Sequence, residues 1–172
     1  MARTVTLRGE PQNLEGSELK VGDSAPEFTL QAQDMSDVTL AATTGKVRII
    51  SSVPSLDTPV CDKETRRFNE EAAKLSNVDI LTVSMDLPMA AKRWCAAAGI
   101  ERVKTLSDHR SAAFGRSYGV LMKGGKLDRF LSRAVFVADK NNKLVHIEYV
   151  PEIAQEPNYD AALAAAKKAA GA

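Results

Sequence analysis

An α/β fold, one central mixed sheet with helices packed on it, is predicted by three features of the chain. Two apolar, β-branched runs, "VRIISSV" (47–53) and "VDILTVSMD" (78–86), flank a segment of helical period, "CDKETRRFNEEAAKL". A second helix with both end signals follows, Pro88 at its first turn and Gly99 just past its last. The chain then closes with strand, turn, strand in "RAVFVADKNNKLVHIEYV" and an Ala-rich helix in "NYDAALAAAKKAA".

Taken in order, "TVTLRG" and the turn-like "EPQN" predict a short N-terminal hairpin over residues 1–20, with "SELKVGDSAPEFTL" a further extended segment. "VTLAATTGK" ends in a Gly-Lys turn leading to the strand 47–53. The helix after it starts near Pro59 and places Val60, Phe68, Ala72 and Leu75 on one apolar stripe. "VKTLSD" reads as a short strand and "SAAFGRSYG" as a short helix. There is no repeat or long linker, so residues 1–172 are expected to form one domain. Strand–helix–strand, helix, then strand–strand–helix is the order of a thioredoxin-like sheet, here with an N-terminal hairpin extension.

Composition excludes several classes of function. With 23 basic and 22 acidic residues, the net charge of +1 offers no footprint for nucleic acid or an anionic membrane. No apolar run approaches the ~18 residues of a membrane span, and the N-terminus lacks the apolar core of an export signal. A cytoplasmic location follows as the expectation, and two cysteines in a reducing compartment suggest redox chemistry before a structural staple. The mixed clusters "KETRR" and "KKAA" look like solvated helix faces. No Gly-rich phosphate loop or metal-ligand spacing is present, so no cofactor or metal is expected. His109 and His146 stand apart without partner motifs and are read as structural or surface residues.

Cys61 occupies the one place where helix physics points to chemistry. Thr58 suits the N-cap, Pro59 the first helical position, and Cys61 the third. Unpaired first-turn amides and the helix dipole favour a thiolate there. The Thr58 hydroxyl is within reach of the Cys61 amide or of its sulfur. Asp62 works mildly against the thiolate unless it faces solvent. A fixed cation would settle the balance, and Arg133 is the candidate. It heads the strand "RAVFVAD" on one face with Val135 and Val137, and a buried guanidinium needs a partner such as a thiolate.

Pro54, Thr58 and Cys61 form P-x-x-x-T-x-x-C directly after a strand. This resembles the peroxiredoxin active-site motif. "SLDTPVCD", "DLPMAAKRWC", "TLSD", "YGVL", "RAVFV" and "EIAQEPNYDAAL" together resemble the thiol peroxidase branch of that family, of atypical two-cysteine type. The resemblance implies a thiol-dependent peroxidase that acts on hydrogen peroxide and organic hydroperoxides. It makes Cys61 the peroxidatic cysteine, which becomes a sulfenic acid, and Cys95 the resolving cysteine, which joins it in an intramolecular disulfide. It gives Thr58 a hydrogen bond to thiolate and peroxide, Arg133 the task of holding the thiolate and the developing charge, and Pro54 that of shielding the sulfur from water. It also implies thioredoxin as reductant and a homodimer. Asp62 departs from the wider family, which often has a second proline there.

Two helix-borne cysteines, one at a start and one near an end, rarely meet the ~7 Å Cα separation a disulfide needs. Local unwinding around both is therefore expected, eased by the weakly packing "AAAG" after Cys95, and Trp94 would report it by fluorescence. The main alternative is a non-catalytic peroxide sensor that relays Cys61 oxidation to a partner. A permanent Cys61–Cys95 staple and a glutathione-peroxidase-like enzyme are weaker rivals.

Overall fold

The computed structural model describes residues 3–171, so Met1, Ala2 and Ala172 of the expected elements, and the Ala72 side chain, lie outside it. The elements run β1 (Arg3–Leu7), β2 (Glu10–Glu15), β3 (Thr29–Gln31), β4 (Asp37–Thr39), β5 (Val47–Ser52), α1 (Pro59–Ala72), β6 (Val78–Ser84), α2 (Pro88–Ala98), β7 (Val103–Ser107), α3 (Ala113–Ser117), β8 (Leu121–Lys123), β9 (Ala134–Ala138), β10 (Leu144–Tyr149) and α4 (Tyr159–Ala169). Seven strands form a mixed sheet in the order β10-β9-β5-β6-β7-β3-β4. β5 is parallel to β6 and antiparallel to β9.

Alternation along the central strands sends side chains into two cores. Ile49, Val135 and Val137 pack with Phe68 of α1, Cys95 of α2 and Leu163 of α4. Ile50, Leu81 and Phe136 point the other way, to Phe28, Phe114 and Tyr118. On that second face Phe114 and Tyr118 stack at 4.3 Å between ring centroids, and Phe136 meets Tyr118 edge-on. The short α3 is held by the buried Asp108 carboxylate, which accepts from the amides of Phe114 and Gly115. Burial pushes the Asp108 pKa up, against the pull of those amides.

The N-terminal hairpin is present, but its turn is Arg8–Gly9, not "EPQN". Both turn residues have positive φ, +52° and +84°, which two-residue hairpin loops favour. Pro11 is tolerated inside β2 because opposite Thr6 it has no amide to place. The Thr6 main chain turns away from it, to Pro151 and Ile153. β2 also pairs with β8, a strand not read in the sequence, and makes a separate three-stranded sheet. Gly16 ends β2 at φ +96°, where a Cβ would lie 2.1 Å from the Arg116 carbonyl oxygen. No helix among the described residues is long and apolar enough to cross a membrane.

Candidate active site

The main chain of β5 ends at Ser52 and turns through Pro54 and Ser55 into α1. Asp86, just after β6, pins that turn: its carboxylate accepts from the Ser55 hydroxyl and the Leu56 amide, both at 2.8 Å, and from the Ser84 hydroxyl at 2.8 Å. Helix α1 then begins as its local signals require, with Thr58 at the N-cap and Pro59 at the first position. The Thr58 hydroxyl, however, bonds neither the Cys61 amide nor the sulfur; it donates to the Ser55 carbonyl at 3.2 Å. Four residues past Thr58, the Asp62 amide closes the first helical turn by donating to the Thr58 carbonyl at 2.8 Å. Cys61 thus lies in the first turn, fully covered, against Val53, Leu56 and Ala91 with Trp94 beside them.

The strand-head arginine does reach this thiol. Arg133 immediately precedes β9 on the face shared with Val135 and Val137, and its Nη2 donates to Cys61 Sγ at 3.2 Å. Its other donors are also taken. Nε donates to the Ile153 carbonyl at 3.0 Å, and Nη1 donates to Glu64 Oε2 in a short ion-pair contact. Glu64 Oε1 in turn accepts from the Ser51 hydroxyl of β5 at 2.6 Å. Burial opposes charge on the guanidinium, but Glu64 and then Cys61 outweigh it, so the Arg133 pKa lies above its ordinary value. Burial, with a smaller push from Glu148, holds the Glu64 carboxyl above its ordinary value against the downward pull of Arg133 and Ser51. An arginine suits this position because its planar fork serves three acceptors at fixed angles.

Sequence reasoning misses Glu64, because "KETRR" reads as a solvated face. Glu64 and Thr65 are in fact fully buried, while Lys63 and Arg66 are exposed. The signal was spacing: Cys61, Glu64, Thr65 and Phe68 recur at three- and four-residue steps and share one side of α1. Asp62 is half-buried and bonded to Arg66 at 3.0 Å, which draws its charge along the outer face of the helix.

Cys95 lies in the last turns of α2, buried, with Sγ 3.7 Å from the Thr105 hydroxyl. Burial pushes its thiol pKa up, opposed by hydrogen bonds from Thr105 and Gln33. Both cysteines are free thiols, in adjoining buried clusters that have Trp94 in common. The end of α2 is less loosely held than "AAAG" implied. Gly99 caps it at φ +69°, and the Cys95 carbonyl accepts from the amides of both Gly99 and Ile100. From α1, Arg66 donates to the Ala98 carbonyl at 3.1 Å, and Asn69 Oδ1 accepts from the Glu101 and Arg102 amides at 3.3 and 2.8 Å.

Pro54 is buried and lines a cleft of about 470 Å³ with Met85, His109, Arg129 and Phe130. His109 itself is tied through Nε2 to Gln31 at 2.7 Å. His146 lies mid-strand in β10, where burial lowers its pKa. Among the described residues no cluster of three or more His, Cys, Asp or Glu side chains could hold a metal ion.

Comparison with known proteins gives the chain's family. A family model described as Redoxin matches residues 20–163. The chain is 55% identical over 166 residues to a thiol peroxidase of Halalkalibacterium halodurans, covering 96% of this chain and 98% of that protein. It is 52% identical over 163 residues to a Bacillus subtilis thiol peroxidase, covering 95% and 96% respectively. The crystal structure of a peroxiredoxin-like protein from Aquifex aeolicus superimposes with a TM-score of 0.92 at 46% identity, over 98% of both chains. The motif read from residues 54–61, the thioredoxin-like sheet that carries it and relatives aligned over nearly the whole chain lead to one conclusion: the chain belongs to the Redoxin family, in its thiol peroxidase branch.

Proposed function

We propose that the protein is a thiol-dependent peroxidase for hydrogen peroxide and organic hydroperoxides, with Cys61 as the attacking thiolate. The observation that carries this assignment is the Arg133 Nη2 contact of 3.2 Å to Cys61 Sγ, because it places a buried cation beside a helix-start sulfur. The Cys61 thiolate attacks the nearer peroxide oxygen. A sulfur–oxygen bond forms, the oxygen–oxygen bond breaks, and the departing oxygen takes a proton to leave as water or alcohol. Arg133 stabilises the charge that develops on that oxygen. Thr58 offers its hydroxyl to the peroxide once it gives up Ser55, and Pro54, buried in the turn before α1, shields the sulfur from water.

Cys95 then attacks the Cys61 sulfenic sulfur, forming a disulfide and releasing water, and the thioredoxin dithiol reduces it. The protein works in the cytoplasm as a homodimer. Hydroperoxide consumption coupled to thioredoxin, thioredoxin reductase and NADPH tests the scheme on the parent, Cys61→Ser and Cys95→Ser. Turnover by the parent, none by Cys61→Ser, and a single sulfenic acid without cycling in Cys95→Ser is the expected pattern. A parent that reacts once with peroxide but is not recycled would favour the sensor.

The disulfide step requires the end of α2 to leave α1. Arg66 and Asn69 oppose that movement with three hydrogen bonds, each of net worth about 1 kcal/mol. Arg66→Ala with Asn69→Ala is expected to speed disulfide formation after peroxide addition by up to about 10²-fold, followed by Trp94 fluorescence. An unchanged rate would mean that α2 opens elsewhere.

A further inference from the structure

The hairpin β1–β2 stands outside the seven-stranded sheet, yet its hydrogen bonds end one residue from the catalytic arginine. The Ile153 carbonyl is the acceptor for Arg133 Nε, and the Ile153 amide donates to the Thr6 carbonyl of β1 at 2.8 Å. The Thr6 amide donates to the Pro151 carbonyl at 2.8 Å, so residues 151–153 are ladder partners of β1. Glu152 lies between those two bonds and grips the hairpin. Its carboxylate accepts from the Thr6 hydroxyl at 2.8 Å, from the turn amides of Arg8 and Gly9 at 2.9 and 3.2 Å, and from the Ala154 amide at 3.0 Å. Those donors hold the Glu152 carboxyl down to about 2. The Ile153 side chain is buried among Val5 and Leu14 of the hairpin and Met122 of β8.

The guanidinium plane is set by two of its three contacts. Glu64 holds Nη1 and the Ile153 carbonyl holds Nε, which leaves Nη2 aimed at the sulfur. With the Ile153 carbonyl displaced, the guanidinium can swing about its contact with Glu64 while remaining charged and buried. Stabilising a departing oxygen depends on a donor fixed in place before charge develops, so such a swing would cost rate even though every catalytic residue is intact.

We propose that the N-terminal hairpin is a positioning element for Arg133, acting through the main chain of residues 151–153, with Thr6 and Glu152 as its positioning residues. This rests on the assignment of Arg133 to the reaction of Cys61 with peroxide. The hairpin is then a support of the active site rather than an appendage of the fold.

The test compares the parent with Glu152→Ala, Glu152→Gln, Thr6→Val and Thr6→Ser, all checked for an unchanged thermal melt. Three readouts are taken: the rate constant of Cys61 with hydrogen peroxide, its alkylation by iodoacetamide, and hydrogen exchange of the Arg133 Nε–H by NMR with labelled arginine. Iodoacetamide needs the thiolate but no cation at a departing peroxide oxygen. Glu152→Ala and Thr6→Val are expected to lower the peroxide rate by about tenfold. Alkylation, measured at a pH where its rate has reached a plateau in every variant, should be unchanged, Nε–H exchange faster, and Thr6→Ser should keep the parent behaviour. Unchanged Nε–H exchange in Glu152→Ala would overturn the proposal, and so would a peroxide rate within about twofold of the parent. A parallel fall in both chemical rates would overturn it too, because that is general loosening of the site. A parent that does not consume peroxide would instead overturn the peroxidase assignment, and Nε–H exchange alone would then decide whether the hairpin orients Arg133.

Discussion

Arg133→Met is expected to slow the reaction of Cys61 with hydroperoxide by about 10²–10³-fold, the loss typical of removing one pre-organised donor from a developing negative charge. The substitution keeps the volume but removes the cation 3.2 Å from Cys61 Sγ. It also strands Glu64, whose second oxygen already accepts from Ser51, so part of any loss could be structural. Arg133→Met combined with Glu64→Gln removes that ambiguity, because a neutral amide needs no cation. If the double variant stays as slow as the single one and melts like the parent, the loss belongs to the missing guanidinium. Arg133→Lys should recover little. An ammonium is a point charge on a flexible stem and cannot serve the Ile153 carbonyl, Glu64 and Cys61 at fixed angles. Stopped-flow mixing with peroxide, read through Trp94 fluorescence, measures all three. A rate for Arg133→Met within about threefold of the parent would remove Arg133 from the mechanism.

Loss of stability is expected to be largest for Glu64→Ala, about 3–5 kcal/mol, as for other buried ion pairs broken from one side. The pair lies almost wholly out of water, with both side chains 1% exposed. Removing the carboxylate leaves the Arg133 guanidinium with only the Ile153 carbonyl and the Cys61 sulfur, the Ser51 hydroxyl without its acceptor, and a cavity where the side chain was. Glu64→Gln keeps the volume and one acceptor and should cost clearly less. Denaturant unfolding of the parent and both variants, with peroxide reactivity recorded alongside, gives the comparison. Equal stability for Glu64→Ala and the parent would mean that Arg133 is solvated through an opening absent from this structure.

What could be read in the sequence was what local rules govern. Pro59 and Thr58 set the start of α1, Gly99 set the end of α2, and period-2 alternation put Arg133 on the face of Val135 and Val137. Each of these depends on a few neighbouring residues, so one chain suffices. The hairpin turn reads from the sequence as "EPQN" but lies at Arg8–Gly9. Only the docking of β1 on residues 151–153 shows that an amide is not needed at Pro11. β8 is three residues long and exists as a strand because β2 pairs with it.

The sequence by itself determined the sheet's central strands, the helix that carries Cys61 in its first turn, and the motif that places the chain among thiol peroxidases. The tertiary structure alone decided which polar side chains go inside. Glu64 and Thr65 are hidden within a charged run; the burial of Glu64 follows from the arrival of Arg133, 69 residues on, with a cation that must be neutralised, while the Thr65 hydroxyl is satisfied by the Cys61 carbonyl. The Thr58 hydroxyl bonds Ser55 instead of the sulfur because Asp86 folds the preceding turn back beneath it. The latch from Arg66 and Asn69, and the hairpin's hold on Ile153, join segments that are distant in sequence. Contacts of this kind depend on where the chain returns in space, and no periodicity or end signal encodes that.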